Sequence, residues 1–191
     1  MEAATKESRP LFTNQQLWAL IVPLLIEQLL AVAVGMADTM MVSQAGEAAV
    51  SGVSLVDMIN NLIIYLFSAL ATGGAVVTSQ FIGARRIREA GDSAGQLVLL
   101  SLLSGLGILA FCLLCGRPVM RLFFGSITED VMEAGLLYLR ITAVSYPFLA
   151  LYNAGAALFR SVGNSGISMR VSIVMNIINI VGNAIGVLVL H

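Results

Sequence analysis

The chain has 191 residues, of which 58% are apolar and 11% charged, and its mean hydropathy is +0.92. Ten basic and eleven acidic side chains cannot coat a soluble globule of this size, and a composition this apolar excludes a disordered chain. A net charge of -1 offers no basic surface for nucleic acid, and lipid is the surrounding that suits such a chain.

Residues 1–14 read as a polar tail carrying Lys6 and Arg9, placed in the cytoplasm. The tail, the apolar run after it and the tripeptide Ala31-Val32-Ala33 imitate a secretory signal. The run nevertheless continues to Met41 and Val42, contains Pro23 and Glu27, and is followed by four more apolar segments, so it reads as a first span. A bilayer core needs about 20 apolar residues per helix, and five stretches qualify: 15–42, 54–80, 94–115, 134–159 and 168–190. Only helices or closed barrels satisfy the backbone in lipid, and the alternating pattern of a barrel is absent. The expected fold is therefore all-α, a polytopic membrane helix bundle, with residues 15–191 forming one transmembrane unit. With the N-terminus inside, the inner segments hold Lys6, Arg9, Arg85, Arg86, Arg88, Arg160 and Arg170, and the outer ones hold Arg117 and Arg121. This asymmetry orients the chain by the positive-inside rule.

Polar residues within spans need a reason, because a carboxylate at membrane depth normally faces the bundle interior or a water-filled cavity. Glu27 and Asp38 share the first span. Their 11-residue separation leaves them about 20° apart around the helix and about 16 Å apart along it, so both lie on one face. Either Glu27 pairs with a neighbouring donor and Asp38 is solvated near the outer end, or the face lines a cavity together with Gln28. Pro23 removes a backbone hydrogen bond one turn before Glu27 and permits a bend. The second span opens with Asp57, Asn60 and Asn61, continued by Ser68 and Thr72, which suggests a wet groove or simple capping. Pro147, beside Tyr146 and about two turns before Asn153, marks another bend in the fourth span. In the fifth span Asn176, Asn179 and Asn183 fall within a sector of about 60°. Such a stripe either glues helices together or lines a cavity where amides coordinate a cation.

Other signals carry no chemistry. His191 is the only histidine, so a histidine-based triad, zinc site or proton relay is not available from this chain. Gly105, Gly107 and Ala110 match a dinucleotide-loop spacing, but inside an apolar span without a preceding strand. Cys112 and Cys115 lie in the same run and read as small apolar fillers. The pair Gly182/Gly186 permits close helix contact and is a common pattern.

Four stretches resemble the N-terminal half of the multidrug and toxic compound extrusion (MATE) transporters. They are Met36-Ala37-Asp38-Thr39-Met40-Met41-Val42, Ser79-Gln80-Phe81-Ile82-Gly83-Ala84-Arg85-Arg86, Leu158-Phe159-Arg160-Ser161-Val162-Gly163-Asn164-Ser165, and Asn176-Ile177-Ile178-Asn179-Ile180-Val181-Gly182-Asn183. The resemblance implies two six-helix lobes, of which this chain supplies five helices of the first. It implies a multi-pass protein of the plasma (inner) membrane that exchanges protons or sodium ions for organic, often cationic and amphipathic compounds, with no other cofactor. It further implies a missing C-terminal lobe or a second copy as partner. The family's coupling site matches Asp38, with Asn179, Asn183 and Asn153 as partners, and sodium, if it is the ion, would sit at Asp38, Asn179 and Asn183. Some relatives carry a second aspartate where this chain has Asn183, and Ser168 stands where a proline often follows. A lipid-linked oligosaccharide flippase of the same superfamily would favour arginine-rich cavities, and Arg140 is the one arginine well inside a span. An intramembrane aspartyl protease would need two carboxylates meeting across helices. A transport-inactive fragment is the remaining alternative, since alternating access moves one repeat against another.

Overall fold

A computed structural model of the protein describes the backbone at residues 14–42 and 46–189, and the side chains there except at 16, 37–39, 41–42 and 179–189. The tail expected at 1–14 lies almost wholly outside the described residues. Among the described residues six helices follow one another: α1 (Asn14–Val42), α2 (Glu47–Gly83), α3 (Ile87–Phe124), α4 (Glu129–Ala143), α5 (Tyr146–Ser161) and α6 (Ser165–Val189). Three of these, α1, α2 and α3, are long and apolar enough to cross a bilayer singly. The pair α4 and α5, bent by 49° at its break, passes the same test when taken as one span. The fold is thus an all-α membrane bundle.

Two expectations need correction. The fourth span is two helices, broken at Val144 and Ser145. Pro147 stands at the second position of α5 and has no N–H for the carbonyl of Ala143, so the ladder cannot run through. The chain turns there with Ser145 N–H donating to the Thr142 carbonyl at 2.9 Å, and α5 starts afresh with Leu149 N–H on the Ser145 carbonyl. The connectors are also shorter than expected. α2 and α3 are 37 and 38 residues long, about 55 Å each, so both run well past the hydrocarbon. A helix ends where its capping and packing end, not at the membrane surface, and Val119 and Met120 still pack in the core beyond the expected end at 115.

α2, α3, α4 and α5 share one core. Val56, Ile59, Ile63 and Phe67 of α2 meet Cys112, Val119 and Met120 of α3, Met132, Leu139 and Ala143 of α4, and Tyr146 and Ala150 of α5. Toward the other end the packing narrows to small residues, with Ala71 and Ala75 against Leu97, Ala154 and Ala157. Cys112 is buried as a filler, and both cysteines are free. Backbones touch at two crossings: Gly52 lies on Gly135 between α2 and α4, and Gly105 lies on Tyr146 and Pro147 between α3 and α5. Without lipid-excluded water to drive association, such close approaches are how membrane helices gain dispersion contact. Gly105 therefore has a use unrelated to the dinucleotide spacing it mimics. α1 stands apart, packing mainly along α6 and leaving Leu25, Leu29 and Met36 exposed.

The loops on the Arg85 and Arg160 side close alike. Arg86 N–H reaches back to the Phe81 carbonyl and Asn164 N–H to the Phe159 carbonyl, each at 2.9 Å, the six-to-one bond of a helix C-terminus that needs one left-handed residue. That residue is Gly163 in one loop and Arg85 in the other.

A side chain at Gly105 tests the broken span. A Cβ there would sit 2.6 Å from Pro147 Cα, and backbone cannot yield as a flexible side chain can. Gly105→Ala is expected to destabilise the bundle by about 1–3 kcal/mol, whereas Gly107→Ala, with nothing within 4 Å of its Cβ, is expected to be tolerated. Thermal unfolding in detergent reads both.

Candidate functional site

Two polar clusters lie inside the bundle. The first joins α2 to the broken span. Asn60 is buried on α2, donates its amide to Asp57 Oδ1 at 3.2 Å, and accepts the Tyr146 hydroxyl at 2.6 Å. Tyr138 of α4 donates to the same Asp57 oxygen at 3.2 Å. Asp57 and Asn60 sit one helical turn apart, so one face of α2 meets a tyrosine from each side of the break. This is a closed tie across the bend, not the groove expected from Asp57, Asn60 and Asn61. Asn61 is exposed and lies outside it.

The second cluster joins α1, α5 and α6 around Glu27. Its side chain is 17% exposed. The Tyr152 hydroxyl of α5 donates to Oε1 at 2.8 Å, the Ser168 hydroxyl of α6 donates to Oε2 at 3.5 Å, and Arg160 Nη1 stands 4.0 Å from Oε1. The carboxylate keeps a place in the apolar bundle because hydroxyls and a guanidinium replace the water it has lost. Ser172, one turn further along α6, is buried. The Ser168 side chain reaches both Glu27 and the Ser165 carbonyl. Of the two readings of Glu27, pairing with neighbouring donors describes its surroundings.

The remaining candidates are dispersed. Gln28 is exposed. Asn153 is half-buried and donates to the Leu149 carbonyl of its own helix at 2.9 Å. Asn176 is half-buried, and its Nδ2 is enclosed without a hydrogen-bond partner among the described residues. The side chains of Asp38, Asn179 and Asn183 lie outside the described residues, although their backbones belong to α1 and α6. Pro23 lies within α1, which runs through it as one helix. Arg140 is exposed on α4.

Sequence reasoning missed the tyrosines and the serines. In an apolar run a tyrosine looks like core, and nothing in the chain says which helix its hydroxyl meets. The serines had a signal: Ser165, Ser168, Ser172 and Asn176 repeat at three and four, extending the asparagine stripe backward along one face of α6.

A polytopic bundle with interior carboxylates held between helices is the architecture of a multi-pass membrane protein. The chain belongs to the MatE family, whose model matches residues 23–185. It is 32% identical over 180 residues to "Uncharacterized transporter YisQ" of Bacillus subtilis (strain 168), covering 94% of this chain and 39% of that protein. It is 27% identical over 156 residues to "Probable multidrug resistance protein NorM" of Aromatoleum aromaticum, covering 80% of this chain and 32% of that protein. The chain thus spans about two-fifths or less of the length of these relatives. Among solved structures it superimposes on a MOP superfamily transporter from Pyrococcus furiosus with a TM-score of 0.84 at 23% identity, covering 92% of this chain and 38% of that one. MATE in the bent conformation matches with a TM-score of 0.80 at 25% identity, over 92% of this chain and 39% of that one.

The tie across the bend makes a direct prediction. Tyr146→Phe strands the Asn60 carbonyl oxygen in a buried place, which is expected to cost about 1–3 kcal/mol. Asn60→Leu added to it is expected to cost less than the sum of the two single changes, because both remove one bond. Chemical denaturation of the single and double variants measures this.

Proposed function

We propose that this chain is the first lobe of a secondary active efflux transporter of the plasma (inner) membrane, with its N-terminus in the cytoplasm. It exchanges protons or sodium ions for organic, often cationic and amphipathic compounds, and works with a second lobe or a second copy. Asp38 is the coupling group, and Asn179 and Asn183 are its partners.

The observation that carries this reading is the register of α1 against α6. Ser165, at the start of α6, contacts the carbonyls of Ala19 and Leu20 at the start of α1, and Ser168 further on meets Glu27 further on. The two helices therefore run parallel, with facing residues 141 to 146 apart in number. Carried forward from Asp38 at the same rise per residue, those separations arrive at 179 to 184. Asn179 and Asn183 are the polar residues of that stretch. The relative named "Probable multidrug resistance protein NorM" supports export of drug-like compounds.

Physical chemistry supplies the coupling. A carboxylate withdrawn from water and facing two amides is stabilised by a proton or a small cation, since amide oxygens coordinate sodium and amide hydrogens do not neutralise the charge. Neutralising it removes the attraction for a cationic compound. Exchange follows if the neutral and charged states prefer different arrangements of α1, because a ligand shifts a conformational equilibrium only through differential affinity. Solved structures similar to this chain include MATE in both a bent and a straight conformation, which supports a lobe with two shapes. Arginine-rich recognition of lipid-linked pyrophosphate has less to draw on, since Arg140 is exposed and Arg160 lies beside Glu27.

Asp38→Asn in the complete transporter is expected to lower ion-coupled efflux by at least about tenfold while membrane insertion and abundance stay unchanged. Normal drug resistance at equal expression would remove Asp38 from the mechanism. Asn183→Asp adds a charge beside Asp38 and is expected to raise cation affinity or steepen the pH dependence of efflux; an unchanged ion response would leave Asn183 as packing.

A further inference from the structure

Pro23 leaves a vacancy in α1. In a continuous α-helix the carbonyl of Ala19 accepts from the N–H of residue 23, and proline has none. Ala19 is exposed near the start of the span, and a side-chain donor from the neighbouring helix lies within reach of its carbonyl. Ser165 is that donor. It opens α6, is 2% exposed, and its hydroxyl lies 3.4 Å from the Ala19 carbonyl oxygen and 3.3 Å from that of Leu20. The carbonyl orphaned by the proline is thus one of the two that the adjacent helix reaches.

A second attachment lies on the far side of the same proline. Glu27 follows Pro23 by one turn and is tied to Tyr152 and Ser168, with Arg160 beside it. α1 is therefore fastened to its neighbours at 19–20 and again at 27, with the weakest point of its own ladder between them. Both fastenings start from residues of α5 and α6, and few contacts link α1 to α2. A bend at Pro23 turns one half of α1 relative to the other, so both attachments cannot survive it.

We propose that the Ser165 hydroxyl supplies the hydrogen bond that Pro23 removes, and that with the Glu27 cluster it forms a two-point latch holding α1 straight on α6. Ser165 and Glu27 are positioning residues for α1. The latch stands on these hydrogen bonds alone; its use in switching rests on the function proposed above.

A mutant cycle read by hydrogen–deuterium exchange separates this role from ordinary packing. The full chain is reconstituted in lipid nanodiscs, and exchange is followed in the α1 segment around residues 19–27. Ser165→Ala is expected to speed exchange there about three- to tenfold, the worth of one neutral hydrogen bond. In a Pro23→Ala background residue 23 regains its N–H, the Ala19 carbonyl is satisfied within the helix, and Ser165→Ala is expected to change exchange by less than about twofold. Ser165→Thr, which keeps the hydroxyl, is expected to match the parent. Equal acceleration in both backgrounds would overturn the proposal, because a packing role does not depend on Pro23; so would no acceleration in the native background. If Ser165→Ala does not accumulate, Ser165→Cys replaces it as a near-isosteric weak donor, with the same two outcomes. Efflux measured on the same variants tests the proposed function separately, since the exchange cycle succeeds or fails without reference to transport.

Discussion

Inside a bilayer a polar group without a partner has no water to fall back on, and the arrangement of this bundle follows from meeting that demand. α6 presents the hydroxyls of Ser165 and Ser168, three residues apart, and α1 presents a carboxylate and a carbonyl freed by proline. Neither helix is satisfied alone. Together they fix which faces meet, in which direction and at what offset, and the greasy residues between them contribute dispersion without specifying a register. α1 would otherwise be an apolar rod that could slide along the bundle.

The same demand shapes the core of the other helices. Breaking the fourth span at Val144 and Ser145 frees backbone groups, and the break is accommodated by three adjustments near one another. The chain makes its own turn, α3 offers Gly105 so that the new helix can approach, and Tyr146 reaches across to Asn60. Proline in a membrane helix is tolerated where neighbours re-satisfy what it frees. Pro147 and Pro23 illustrate two solutions. At Pro147 the helix restarts; at Pro23 it continues and a serine from outside supplies the missing donor. A continued helix held by external bonds can be let go, which makes the first span the element suited to motion and the fourth a fixed bend.

Much of this was legible in the chain. Hydropathy located the stretches that α1, α2, α3 and the α4–α5 pair occupy, and the prolines and the interior carboxylates stood out as exceptions to an apolar background. The resemblance carried by Met36–Val42 and Asn176–Asn183 identified the family that the match over residues 23–185 establishes. What was not legible depends on which helices become neighbours. Tyr138, Tyr146 and Tyr152 read as core because their rings are core; only the third dimension shows Asp57, Asn60 and Glu27 at their hydroxyls. The serines of α6 share the period of the asparagines after them, and counting asparagines alone concealed half of the stripe. Helix ends were misjudged for a simpler reason: α2 and α3 keep packing past the lipid, and a hydropathy window stops where the lipid does.

The account depends on α1 and α6 lying parallel at one offset over their whole length, so that the acid at 38 comes level with the amides at 179 and 183. Oxidative cross-linking in native membranes tests this most directly, with cysteine introduced at 38 together with cysteine at 179, at 183 or, as a displaced control, at 171. Rapid disulfide formation with 179 or 183 and none with 171 is what the register requires. Cross-linking to 171 alone, or to none of the three while a 19/165 pair closes readily, would contradict it.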